Sequence, residues 1–104
     1  MRSPWQVLRD GGLPLAGERT GAPVTVGELA AATSAAVAER PSGREAEALA
    51  AFVFAWHHYW PRVFADAFGD AAAGLLAWAG QQFSDDNRYV KLRRIAIENL
   101  SHVL

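Results

Sequence analysis

The chain has 104 residues, a formal net charge of −1 and no cysteine. Near neutrality leaves no whole-molecule field to gather DNA or an anionic membrane, and the missing thiols exclude disulfides, thiolate metal sites and a cysteine nucleophile. With 51% hydrophobic residues, four Trp, five Phe and two Tyr, a chain of one-domain length has more apolar material than its small interior readily hides, which points to a protein partner or a second copy.

Residues 1–24 hold Pro4, Gly11, Gly12, Pro14, Gly17, Gly21 and Pro23, a density of breakers that forbids a long helix and favours an extended or turning arm. Trp5, Val7, Leu8, Leu13 and Leu15 give that arm reason to pack on the remainder, residues 25–104, read as one helical domain. The opening MRSPWQVLRDGG has no apolar stretch behind its arginine and does not read as a secretory signal.

Thr25 and Glu28 have capping-box spacing, and Val26, Leu29, Thr33, Ala36 and Val37 then share one face of a helix to about Arg40, where Pro41 ends it. Ser42 and Glu45 form a second box, opening a central helix to about Trp60. Leu49, Phe52, Val53, Trp56, Tyr59 and Trp60 gather on one arc of it, while Phe54, His57 and His58 lie off that arc. Such a helix is packed on more than one side. Its longest mostly apolar stretch, residues 46–59, is interrupted by His57 and His58 and falls short of the roughly 20 residues that span a membrane, so no membrane association is expected.

Pro61 either bends this helix or opens the next, and a bend is favoured. Gly69 and Asp70 read as a stop and an N-cap before an Ala- and Gly-rich helix to about Phe83, whose small faces permit close helix approach. Ser84, Asp85 and Asp86 then supply caps for a last helix to the C-terminus, with Tyr89, Leu92, Ala96, Leu100 and Val103 as its core stripe. The expected fold is all-α: a small bundle of four to five helices with an irregular N-terminal arm.

His57 and His58, with Asp66 further on, raise the question of a metal or catalytic centre. Adjacent helical residues point about 100° apart, whereas helical ligand pairs favour spacings of three or four, and no HExxH or ExxH occurs. No G-x-S-x-G, P-loop or G-x-G-x-x-G motif is present either. No catalytic, cofactor or metal residue is therefore assigned, and an enzyme or metal protein using His57, His58 and Asp66 stands as the third reading.

Arg88, Lys91, Arg93 and Arg94 concentrate basic charge, but Asp85 and Asp86 precede them and most lie on a solvated face with Glu98. The stretch Thr25–Thr33, TVGELAAAT, resembles the first helix of MerR-type helix-turn-helix regulators, which often read I-G-E-L-A. No Gly-containing turn follows, since Ser34–Val37 continue as Ala-rich helix, so the resemblance ends there and implies no residue roles. A helical DNA-binding regulator using residues 25–40 or the basic patch is the second reading, and nucleic acid is not the expected partner.

The leading expectation rests on surplus apolar surface. Val90, Ile97 and Leu104 form a second stripe beside the core stripe of the last helix, and Phe54 lies opposite Trp56 on the central one. Phe54, His58, Val90, Ile97 and Leu104 are accordingly the candidate interface of a non-enzymatic interaction or regulatory protein. It would act as a homo-oligomer or on a protein partner. The missing cysteines suit a reducing cytoplasm, and the Ala-rich, Arg-over-Lys composition suits a GC-rich bacterial coding sequence.

Overall fold

A computed structural model describes residues 2–82 and 88–104. Among them are α1 (Pro4–Asp10), α2 (Val26–Ala38), α3 (Gly43–Tyr59), α4 (Pro61–Phe68), a 3-10 turn (Gly69–Ala71), α5 (Ala72–Gln81) and α6 (Arg88–Leu100), with no strand among the described residues. The fold is a small all-α bundle.

Helix α3 is its axis. Ala48, Leu49, Ala50, Phe52, Val53, Ala55 and Trp56 are buried all round the helix, because α6, α5 and α4 pack on different sides of it. Trp56 is the hub, fully buried, with its ring edge-on to Phe52 at 6.2 Å, Phe64 at 5.7 Å and Phe68 at 5.0 Å between centroids. Offset and edge-on pairs are the favoured aromatic geometry. Its indole N–H is buried with no hydrogen-bond acceptor among the described residues.

Pro61 does more than bend α3. Trp60 sits at φ −133° and ψ 61°, and Pro61 becomes the first residue of a new helix. A residue before proline is pushed out of the helical region, and proline has no amide to lose in a first turn. The break lets α4 fold back so that Phe64 and Phe68 cover Trp56. Tyr59, expected on the core arc, lies past this covered turn and is 46% exposed.

Two expected caps are absent. Thr25 and Glu28 do close a capping box, the Thr25 hydroxyl accepting from the Glu28 amide at 3.1 Å and Glu28 accepting from the Thr25 amide at 3.3 Å. Ser42 makes no such bond, since Gly43 at φ 61° turns the backbone between its hydroxyl and the helix amides. Asp70 falls inside the 3-10 turn, and α5 starts on Ala72 without a side-chain cap. The capping residues expected at Ser84, Asp85 and Asp86, and the helix end at Phe83, lie outside the described residues.

The N-terminal arm also differs from an extended strap, because Pro4–Asp10 is helical. The Ser3 hydroxyl accepts from the Gln6 amide at 3.2 Å and Pro4 occupies the first turn, which are start signals in their own right. Gly11 and Gly12 stop the helix after seven residues. Leu8 and Leu13 are buried in the main core, and the Trp5 indole donates to Glu39 at 2.6 Å, tying α1 to the end of α2.

Asp10 fixes the rest of the arm. Its carboxylate accepts from the Thr20 amide at 2.7 Å, the Thr20 hydroxyl and Arg2 at 2.8 Å each, and Gln6 at 3.3 Å. Burial of the carboxyl raises its pKa, but the Thr20 amide foremost, with Arg2, the Thr20 hydroxyl and Gln6, outweighs it and holds the group down at about 2.

Candidate functional site

A groove of about 640 Å³ runs between α2 and α4. From α2 come Val26, Ala30, Ala31 and Ser34, and from α4 come Val63, Asp66, Ala67 and Phe68. It continues toward α5 as a smaller depression of about 180 Å³ beside Val37, Gly74 and Leu75. Gly27, Ala31 and Ala71 on its edges have side chains too short to keep another backbone away, so a helix could lie close along it.

The local sequence explains the groove. The core face of α2 is Leu29, Thr33 and Ala36, all fully buried, with the Thr33 hydroxyl donating to the Leu29 carbonyl at 2.8 Å. The opposite face is Gly27, Ala31, Ser34, Ala35 and Ala38, all exposed and uncharged, with the exposed Glu28 at its N-terminal edge. Across the gap, the turn at Gly69 sets Phe68 with one edge on Trp56 and another on the groove. Apart from Ser34 and Asp66, the lining is apolar. Such a lining suits desolvated contact and offers little that could move protons or hold a metal.

The residues expected at an interface differ in exposure. Phe54 is half-buried against the core, its ring edge-on to Tyr89 at 5.8 Å. Ile97 and Leu104 are half-buried and pack on the same core, while Val90 is 49% exposed. His58 is exposed at the end of α3, edge-on to the Tyr59 ring at 4.6 Å. Of the core stripe assigned to α6, Ala96 and Leu100 are fully buried and Leu92 only partly.

His57 is exposed with its ring beside Phe64 at 5.2 Å, and Asp66 lines the groove. Among the described residues, no group of three or more His, Asp or Glu is placed to hold a metal ion. The basic residues are divided too: Lys91 and Arg94 are exposed, whereas Arg93 lies over the Tyr89 ring at 5.5 Å. Among the described residues no helix is long and apolar enough to cross a membrane.

The groove was not anticipated by periodicity. Its signal in the sequence is the small-residue face of Gly27, Ala31, Ser34, Ala35 and Ala38, which helical spacing exposes but which means little until α4 is seen beside it. No known family matches the chain, and neither a curated protein nor a solved structure is found to be similar to it.

Proposed function

We propose that the chain is a non-enzymatic interaction protein that works as a homo-oligomer, with the groove between α2 and α4 as the contact between copies. The observation that carries this reading is the pairing of a mostly apolar groove, floored by Ala30 and Phe68, with an exposed α2 face of small residues whose one charge, Glu28, stands at its N-terminal edge. Leaving both in water forgoes the hydrophobic gain that covering them brings.

A second copy fits on three counts. The net charge of −1 gives two copies little mutual repulsion. The small residues of α2 let two such helices approach at the short end of the roughly 8–10 Å packing range. A two-fold contact then sets the same surface against itself, as most homodimers do. A cytoplasmic setting goes with this reading, since a chain without cysteine suits a reducing compartment.

Sedimentation of wild type and Ala31→Glu at micromolar concentration tests the proposal. Ala31 is exposed and lines the groove, so a glutamate there leaves the monomer intact and places a charge in the contact. Wild type should sediment above monomer mass and the variant as monomer with an unchanged melting temperature. A monomeric wild type sinks the reading.

A further inference from the structure

On another side of the molecule, the loop after α1, the first turns of α3 and the start of α6 enclose a cavity of about 400 Å³. Pro14, Leu15, Ala48 and Leu92 give it an apolar body, and Arg44 and Lys91, from two different helices, stand in its wall. We infer that this cavity binds an amphipathic anion: a carboxylate or comparable head group on a short apolar chain.

Its volume lies within the range of small-molecule sites, and the pattern of a mostly apolar wall with a few charged groups is how such sites combine affinity with orientation. Leu15 and Leu92 are only partly buried in the free protein, so an apolar chain gains by covering them, whereas water would meet few partners along that wall. Arg44 and Lys91 are exposed. Long basic side chains keep their heads at the mouth while their stems line the wall.

Glu47 also lines the cavity and is engaged with another group of the protein. Arg44 and Lys91, from two helices, set two cationic groups in a wall whose one carboxylate is already engaged, which favours an anionic head group over a cation. The roof is already in place. Arg9 Nε donates to the Ala16 carbonyl at 3.3 Å and the Leu15 amide to the Leu13 carbonyl at 2.9 Å, so little ordering of the loop opposes binding.

Titration calorimetry on the full chain, with decanoate below its micellar range, tests this. Decyltrimethylammonium serves as the opposite-charge probe and phosphatidylglycerol vesicles as the lipid-surface arm. Decanoate should bind one per chain, with the ammonium analogue at least tenfold weaker. Arg44→Gln combined with Lys91→Gln should lower decanoate affinity roughly tenfold, the size expected when a charge-assisted contact is lost. Ala16→Trp, on the exposed loop, should obstruct the cavity with no change in melting temperature. No decanoate binding, equal binding of the two head groups, binding indifferent to all three substitutions, or binding to vesicles alone would each overturn the assignment.

Discussion

The Thr20 backbone amide donates to the Asp10 carboxylate at 2.7 Å, and the Thr20 hydroxyl donates to it at 2.8 Å. This double contact turns a loop rich in Gly and Pro into a defined part of the fold, since Asp10 ends α1 and Thr20 lies beyond Gly17. Arg2 extends the link by pairing with Asp10 at 2.8 Å and Glu28 at 3.4 Å. Asp10→Asn keeps the shape but loses the charge that four donors converge on. It should destabilise the protein by about 1 to 3 kcal/mol in denaturant unfolding, with secondary structure retained. An effect below about 0.5 kcal/mol would show that the loop is held by packing alone.

The same carboxylate sets an acid response. Its folded pKa, about 2, lies below the roughly 3.9 of an unfolded aspartate. The unfolded state therefore takes up its proton first as pH falls. The stability from Asp10 is fully present above about pH 4 and is lost as pH drops toward 2. Melting temperature followed from pH 6 to pH 2 should fall for wild type and fall less steeply for Asp10→Asn. Parallel curves would remove Asp10 as the source.

Trp56 combines a large buried ring with an indole N–H that has no acceptor among the described residues. Trp56→Ala should cost roughly 3 to 5 kcal/mol, because Phe52, Phe64 and Phe68 cannot all collapse into the space. Trp56→Phe leaves a smaller void and removes an unpaired donor, so it should recover at least half of that loss. Equal losses in the two variants, measured by urea denaturation, would show that the N–H is satisfied in solution, by water for example.

Ile97 packs on the core while Val90, on the same helix, is 49% exposed. Ile97→Glu should therefore lower stability by roughly 1 to 3 kcal/mol through burial of an unpaired charge. Val90→Glu should stay within about 0.5 kcal/mol. The pair also tests where copies meet. If Val90→Glu abolishes self-association that Ala31→Glu leaves untouched, the contact lies on α6 and not on α2.

What could be read from the chain was local. Thr25 with Glu28, the 3.6-residue stripe through Leu49, Phe52 and Trp56, and Pro41 act on neighbours within a turn or two, so residue order alone specifies them. Pro61 was legible as a discontinuity, but whether it bent or broke the helix depended on Phe64 and Phe68 having Trp56 to cover. The short helix at residues 4–10 was hidden by the glycines after it, although Ser3 and Pro4 mark its start. The groove was illegible for a different reason: residues 26–34 and 63–68 are brought side by side by the bundle, and no periodicity within either segment reports the other. Ile97 shows the same limit. Helical spacing put it on a second stripe with Val90, and only the neighbours of α6 decide that Ile97 packs on the core while Val90 stays exposed.

Gly12 lies at φ 114° with its backbone against α6, where an added methyl group would come within 2.7 Å of Asn99 Cβ. The segment that follows α1 thus has its seat built by α6, the last of the described helices. During synthesis, α1 can pair with α2 early, but Gly12 has nothing to rest on until α6 has been made. The loop that closes at that moment is nearly the whole sequence, and its entropic cost must be met in a late step. A nascent chain lacking α6 therefore holds its first helix in place while the loop beyond it stays unseated.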